Sequence, residues 1–427
     1  MTLLQAGKLD EAEALIRQVM AEASGNADAH NLLGVVLDRR GQMQAAEREY
    51  REAMRLNPRG VSARANLGVL LARAGRSREA IEIFEAVLRD APNHPQATFN
   101  LGLQYAARGD YARAAELFES LRPQTFEALY NLGAALYHLK RFDEAAAALR
   151  SASTLAPDAP GAPYYLGLVA SARGQTEEAK DFFHKALALR ADFAEANFML
   201  GEELSRERRY TEAAEFYARA VSQDSSKPVY YVRLGGTYLL LSLYEQALEV
   251  FQRASARFPQ LAETHYFVAV AARGRGSYDL AEASFRKALQ LRPDNADALA
   301  QLGFIVGERG SYSEAEELLR RAMALGPVHF YAHYDLGRLL VKTRRYAEAI
   351  PILQRGAALK PDNPDVHYQL FMALSRTQRK SEADTEMARF RKLDEERKRR
   401  EKETGGQHDY VQGLLPAPQP ASNPQTP

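Results

Sequence analysis

The sequence has no cysteine, no marked charge imbalance and no long apolar run, and each absence excludes a class of function. Without cysteine, no disulfide, thiolate nucleophile or cysteine-ligated metal site can form. The 56 Lys and Arg residues nearly balance the 55 Asp and Glu residues, so no global charge attracts nucleic acid or an anionic membrane. The most apolar stretch, residues 238–243, is far shorter than the roughly 20 residues that cross a bilayer, so no membrane span is expected.

Motifs of known enzymes are also missing. The chain contains no Gly-rich phosphate loop, no nucleophile elbow and no HExxH motif, so it is predicted to be no enzyme and to use no cofactor. His329 and His333 have a spacing that can chelate a metal on a helix. His333 shares its repeat position with His30, His265 and His367, however, so a structural role is expected and no metal site is predicted.

Self-similarity at a fixed period dominates what is present. A glycine that we call the anchor, usually preceded by leucine, recurs every 34 residues, except for one step of 31 residues between Gly102 and Gly133. The anchors are Gly34, Gly68, Gly102, Gly133, Gly167, Gly201, Gly235, Gly303 and Gly337, with Ala269 and Phe371 at the two places that lack glycine. Such a period indicates an array of small structural units.

Other columns keep the same register and predict a helical hairpin in each unit. Alanine stands twelve residues after every anchor, and a bulky residue such as Tyr50 or Phe84 stands sixteen after most of them. Small residues let two helices approach closely, and the bulky side chain fills the groove beside them. A glycine seven residues after most anchors ends the first helix, and a proline twenty-four residues after most anchors stops the second helix.

The pattern resembles the tetratricopeptide repeat family over roughly residues 1–395, although the tryptophan of the family signature is absent throughout. The resemblance implies an all-α fold, an α-solenoid coiled as a right-handed superhelix of about eleven and a half helix-turn-helix repeats. The first helices would line a concave groove that binds a protein or peptide ligand. A helical array that reads RNA needs a basic groove and a regular column of base-reading residues. The sequence shows neither, so no nucleic-acid partner is expected.

Two irregularities suggest the domain organisation. The 31-residue step predicts a shortened helix near Pro123, with a change of superhelical pitch that divides the array into residues 1–125 and residues 126–397. The second sub-array is expected to end in a charged capping helix. Residues 398–427 are charged and then proline-rich, which is typical of a disordered tail, and only residues 410–415 have enough apolar content to dock.

The first repeat, counted back from Ala12, is incomplete, and its N-terminal sequence lacks the pattern of a signal peptide. As written, the chain is expected to be cytoplasmic. Export to the periplasm is the alternative if an upstream segment has been lost. The incomplete hairpin also leaves an apolar end through which a homo-oligomer could form.

Candidate binding residues lie just before the anchors. Two positions before an anchor, which we call the inner column, stand Asn66, Asn100 and Asn131. This series resembles the asparagine ladder in the repeat half of O-linked N-acetylglucosamine transferases and would hold the backbone of an extended peptide. Alternatively, the amides bond within the array itself.

One position earlier, aromatic residues recur as Phe99, Tyr130, Tyr164 and Phe198. Stacked rings suit apolar or proline-containing segments, but they equally suit packing against the adjacent repeat.

Three hypotheses of function follow. The first is a non-catalytic scaffold or adaptor whose groove holds a partner segment between Asn66 and Phe198. The second is the targeting subunit of a glycosyltransferase system, without the catalytic domain. The third is a scaffold for secretion or assembly in the cell envelope. Because repeat arrays of similar sequence bind unrelated ligands, the sequence does not name the partner.

Overall fold

The computed structural model describes residues 2–404, and the predicted docking segment at residues 410–415 lies outside them. The described residues are arranged as helices joined by short turns, and contacts divide them into two compact units between Asp192 and Phe193. The predicted class, an all-α solenoid of helical hairpins, is confirmed.

The first unit contains helices α1–α12. Their bounds are α1 (Thr2–Gln5), α2 (Leu9–Glu22), α3 (Ala27–Arg39), α4 (Met43–Leu56), α5 (Val61–Arg73), α6 (Ser77–Asp90), α7 (Pro95–Ala107), α8 (Tyr111–Ser120), α9 (Phe126–His138), α10 (Phe142–Leu155), α11 (Gly161–Ala172) and α12 (Thr176–Leu189). Odd-numbered helices are the first helices of the hairpins and carry the anchors, and even-numbered helices are the second.

The second unit continues the same alternation from α13 to α24. Its helices are α13 (Ala194–Arg206), α14 (Tyr210–Gln223), α15 (Pro228–Leu240), α16 (Tyr244–Arg257), α17 (Ala262–Gly274), α18 (Tyr278–Leu291), α19 (Ala296–Glu308), α20 (Tyr312–Leu325), α21 (Phe330–Lys342), α22 (Tyr346–Leu359), α23 (Pro364–Arg376) and α24 (Lys380–Thr404). The charged sequence after Phe390 prolongs α24 to 25 residues, as expected for a polar capping helix.

Each hairpin that has an anchor glycine is held by a ring or a leucine packed directly on that glycine. A Cβ added at Gly68 would lie 2.5 Å from Cε1 of Phe84, sixteen residues later. Tyr50 on Gly34 and Phe118 on Gly102 make the same contact, and leucine does so at Leu149. The alanines twelve residues after the anchors are all buried. They lie in the interface between the two helices of a hairpin, which we call the seam. The columns predicted from spacing are therefore the packing contacts between the two helices of a hairpin.

The turn inside each hairpin has the predicted left-handed residue seven positions after the anchor. Glycine takes it in six complete repeats, with φ of 75° at Gly41 and 90° at Gly310. Five other repeats place a residue with a side chain there at φ of 57° to 63°: Lys140, Arg208, Ser242, Arg344 and Gln378. The turn is thus kept even where glycine is absent, because packing of the two helices fixes the chain direction.

The shortened repeat appears as predicted. Helix α8 has 10 residues, whereas α6 and α10 have 14. A segment with a cis peptide bond between Arg122 and Pro123 joins α8 to α9, and Thr125 caps α9 by accepting a hydrogen bond from the Ala128 N–H at 3.2 Å. The predicted sub-array boundary at residues 125/126 thus lies inside the first unit, and the change of pitch there stays a prediction.

We predict that Gly68→Ala destabilises the array by about 1–3 kcal/mol, since the new methyl group would collide with the Phe84 ring. Urea unfolding followed by circular dichroism measures the loss. Gly25→Ala is the matched control, because an added Cβ there meets nothing within 4 Å. Equal unfolding midpoints for the two variants would contradict this account of the hairpin.

Candidate functional site

The first helices form the inner face of each unit. In the first unit, α3, α5, α7, α9 and α11 contact one another in succession, and in the second unit α21 contacts both α19 and α23. The second helices contact mainly the first helices on either side of them. The predicted binding residues of the first unit, which all belong to first helices, therefore share one face.

The three asparagines of the inner column are half-buried, and each amide is fixed by one donated hydrogen bond. Nδ2 of Asn66 donates to Oδ1 of Asn31 in the preceding repeat at 3.0 Å. Nδ2 of Asn100 donates to the Gln96 carbonyl, and Nδ2 of Asn131 to the Glu127 carbonyl, both at 2.8 Å and both within the same helix. Asn66 thus links two repeats, whereas the other two amides are held by their own helices.

The aromatic residues one position before the inner column divide into two groups by burial. Phe99 and Tyr130 are half-buried on the first unit, and the Phe99 ring also packs on Phe118 with centroids 5.7 Å apart. Tyr164 is buried against Phe183, and Phe198 in the second unit is buried against Tyr217. Tyr164 and Phe198 therefore contribute to helix packing and expose almost no surface to a partner.

Sequence reasoning missed a tyrosine cluster around Tyr130. The Tyr165 ring lies edge-on to Tyr130 at 5.5 Å and to Tyr137 at 6.0 Å between centroids. Gly161 permits this arrangement, because a Cβ there would lie 2.8 Å from the Tyr130 ring. The signal was present in the sequence, since Tyr165 occupies the inner column and Tyr137 stands four residues after an anchor.

Burial determines the chemistry of this cluster. Desolvation raises the pKa of the Tyr165 hydroxyl far above its ordinary value, and the neighbouring Tyr130 and Tyr137 act in the same direction. The phenol therefore remains neutral across the physiological range. The cluster can offer apolar contact and neutral hydrogen bonds, but it supplies neither a charge nor a base.

The two histidines with metal-chelating spacing have structural contacts. His329 caps α21, where its Nδ1 accepts from the Ala332 N–H at 3.1 Å, and its Nε2 lies 2.7 Å from an Asp297 oxygen. His333 is buried, with its Nδ1 2.9 Å from the His329 carbonyl oxygen. Within residues 2–404, no group of three or more potential metal ligands is found.

Apolar side chains are exposed on the second helix of the first repeat. Helix α1 has 4 residues, and beside it α2 exposes Leu15 and Val19, by 54% and 37%. Ile16 on the same helix is buried. Homo-oligomerisation through this surface stays a prediction. No helix in the described part of the chain has the length and apolarity needed to span a membrane.

Hairpins of about 34 residues that stack through their first helices define the class of α-solenoid repeat proteins. Two family models, both described as tetratricopeptide repeat, match the chain. One matches residues 1–61, 37–88, 65–125, 164–228 and 234–296, and the other matches residues 105–172, 272–333 and 308–368. Since these matches cover most of the sequence, the chain belongs to the tetratricopeptide repeat family.

Several solved structures are similar to the chain over various lengths. The C-terminal part of a TPR repeat-containing protein from Cytophaga hutchinsonii is 16% identical with a TM-score of 0.48, over 56% of this chain and 99% of its own. Yeast Tom70 is 16% identical with a TM-score of 0.38, over 89% and 94%. MamA from Desulfovibrio magneticus RS-1 is 28% identical with a TM-score of 0.36, over 39% and 96%. No curated protein matches the chain.

Family membership supports a general role as a protein–protein interaction scaffold. The partner of such an array is accordingly another protein.

The hydrogen bonds of the inner column predict unequal roles in stability. Asn66→Ala should lower the free energy of unfolding by about 1 kcal/mol, because it removes a bond between two repeats. Asn100→Ala should be nearly neutral, since its bond is local and alanine is the better helix former. Urea unfolding of both variants checks this, and an Asn100→Ala variant as unstable as Asn66→Ala would contradict it.

Proposed function

We propose that the chain is a non-catalytic adaptor that holds an extended segment of a partner protein along the inner face of its first unit. The contact surface consists of the amides of Asn66, Asn100 and Asn131 together with the rings of Phe99 and Tyr130. Tyr164 supports this surface from within the first unit, and Phe198 has the corresponding packing position in the second.

The geometry of the amides carries the proposal. One N–H of each amide is bound to protein, whereas within residues 2–404 no hydrogen bond is made to Oδ1 of Asn66, Asn100 or Asn131. An amide fixed in this way presents its oxygen and its second N–H without further loss of side-chain freedom. Carbonyl and N–H groups at repeated intervals match the donors and acceptors of an extended peptide backbone.

The adjacent rings supply the apolar part of the surface. Phe99 and Tyr130 immediately precede Asn100 and Asn131, so each of these two repeats offers one ring beside one amide. Tyr130 is held in place by Phe126, at 5.7 Å between nearly parallel rings, and by the edge of Tyr165. A ring fixed from two sides can contact an apolar or proline side chain with little entropic cost.

The expected affinity is moderate. At about 0.5–1.5 kcal/mol for each net hydrogen bond, the three amides supply a few kcal/mol. A micromolar complex needs about 8 kcal/mol, so the rings and the remaining inner face must supply the rest. This division predicts binding that tolerates many peptide sequences and depends on the peptide backbone.

No particular contact favours the two alternatives, a glycosyltransferase targeting subunit and an envelope scaffold. The asparagine series that suggests the first alternative ends after three repeats. In the following repeats the inner column holds Tyr165, Met199 and Arg233, all of which are buried.

The test is a peptide-display selection on the full chain, using a random library of extended 12-residue peptides, followed by affinity measurement on the selected peptides. Asn100→Ala combined with Asn131→Ala should raise the Kd about 5-fold or more, because two backbone-binding amides are lost. Asn66 is left intact in this variant, since its change also alters the contact with Asn31.

Gln18→Ala combined with Asn93→Ala is the matched control, because both residues are exposed amides outside the first helices. The control should bind the selected peptides with unchanged affinity. An unchanged Kd for the Asn100 and Asn131 variant, at unchanged helicity, would place the binding surface elsewhere.

A further inference from the structure

In the second unit the inner column holds a half-buried carboxyl group. Asp335 lies two residues before the anchor Gly337, and its side chain is 11% exposed. No hydrogen bond to its carboxyl group is formed anywhere in residues 2–404, and the nearest cationic atom is Nη2 of Arg338 at 3.7 Å. A carboxyl group so placed has capacity for a hydrogen bond that the fold does not use.

Beside it, the Arg338 guanidinium is fixed by stacking and lacks hydrogen bonds. It lies 4.8 Å from the centroid of the Phe304 ring, which the Arg273 guanidinium also approaches, at 5.2 Å. Its closest carboxylate oxygen is on Glu308 at 3.2 Å, and the described residues give Arg338 no contact of hydrogen-bond geometry. Just before the second helix of the same repeat, by contrast, Arg345 makes hydrogen bonds of 2.7 Å to both carboxylate oxygens of Glu348.

These groups line one cavity. Its volume is about 40 Å³, and Phe304 and Glu308 from α19 face Asp335, Arg338 and Lys342 from α21 across it. Nζ of Lys342 lies 3.5 Å from Oε1 of Glu308 and 5.5 Å from the centroid of the Tyr312 ring. The cavity therefore combines a planar cation, an ammonium group, the Glu308 carboxylate and the half-buried carboxyl group of Asp335, all within the second unit.

We propose that this cavity is a receptor for the carboxylate of an acidic side chain on a partner protein. The ligand carboxylate accepts hydrogen bonds from the Arg338 guanidinium, and Lys342 adds a second positive charge. Asp335 takes part as the neutral acid, and its O–H donates to the ligand oxygen. Binding at neutral pH therefore takes up one proton from solvent onto Asp335.

The charges around the cavity favour an anion. Of the charged residues that line the cavity, Arg338 and Lys342 outnumber Glu308 once Asp335 is neutral, which leaves an excess of positive charge. A planar guanidinium with unused donors matches a carboxylate better than it matches any cation. The stacking of Arg338 on Phe304 holds the guanidinium in place before the ligand arrives.

Desolvation favours the protonated form of the Asp335 carboxyl group. Desolvation raises its pKa to about 6, against the opposing effect of Arg338. The other charged groups that act on it are Arg273 on α17, Glu308 on α19 and His329 at the start of α21. Because the ligand binds the protonated form, affinity is greatest below pH 6 and falls as the pH rises through and beyond that value.

This proposal is independent of the proposed function of the first unit. Its residues all belong to α19 and α21, with Arg273 from α17, and none contacts the asparagine surface. Loss of binding at one surface therefore leaves the other testable.

The experiment titrates the full chain with the peptide Ac-Gly-Ser-Gly-Glu-Gly-Ser-Gly-amide and with its Gln counterpart, following the arginine Nε–Hε resonances by NMR between pH 5.5 and pH 8. The Glu peptide should shift the Arg338 resonance, and the Gln peptide should leave it unchanged. The Kd for the Glu peptide should rise about tenfold from pH 7 to pH 8. Binding that takes up one proton weakens by about this factor per pH unit once the pH is above the pKa of Asp335, which is about 6.

Asp335→Asn supplies a permanently neutral donor of the same shape. This variant should bind the Glu peptide with a Kd that does not change with pH, at least tenfold tighter than the native chain at pH 8. Arg338→Gln should weaken binding tenfold or more at pH 6, and Arg338→Lys serves in its place if the Gln variant fails to fold. Asp335→Asn distinguishes proton uptake from a merely structural role, because a structural residue would not set the pH profile.

Two control variants isolate the cavity. Arg355→Gln removes an exposed arginine of α22 and should leave the Kd unchanged. His329→Asn keeps a capping residue on α21 and removes the nearby imidazole, so the pH profile should persist. Equal binding of the Gln peptide, a Kd independent of pH in the native chain, or a pH profile that survives Asp335→Asn would each overturn the proposal.

Discussion

The contact between an anchor glycine and the side chain sixteen residues later is the interaction on which the structure depends. At Gly68 the hydrogen that replaces a side chain leaves room for the Phe84 ring to lie directly on the helix backbone. The two helices of a hairpin can then approach closely enough for Ala80 to be buried in the seam between them. Since a hairpin of this size cannot bury its apolar face alone, each one is stable only against its neighbours.

Where the seam lacks its usual residues, the surrounding packing compensates. Ala269 occupies an anchor position, and Phe285 is nevertheless buried sixteen residues later. At the turns, Lys140 and Arg208 take left-handed backbone conformations that cost roughly 1–2 kcal/mol each in an isolated chain. The register of the packed helices enforces these conformations, so the fold tolerates departures from the consensus at single positions.

The inner column, unlike the anchors, changes residue type from one repeat to the next. It holds amides at Asn100 and Asn131, a buried ring at Tyr165 and a half-buried carboxyl group at Asp335. Each change alters the chemistry that one repeat presents on the inner face, and the anchor contacts beneath it stay the same. An array of nearly identical hairpins can therefore carry different binding surfaces along its length.

The sequence by itself determined the helical hairpins, their glycine and alanine seams, the left-handed turns and the shortened helix α8, because each depends on residues at fixed local spacing. Only the tertiary structure decided that Asn66 bonds to Asn31 of the neighbouring repeat and that Asn100 bonds to its own helix. It also decided that Tyr164 and Phe198 are buried, and that Asp335 and Arg338 line one cavity without a hydrogen bond between them. The physical reason is that hydrogen bonds and burial depend on distances of a few tenths of an ångström between adjacent repeats, and a repeating pattern of residue types does not specify such distances.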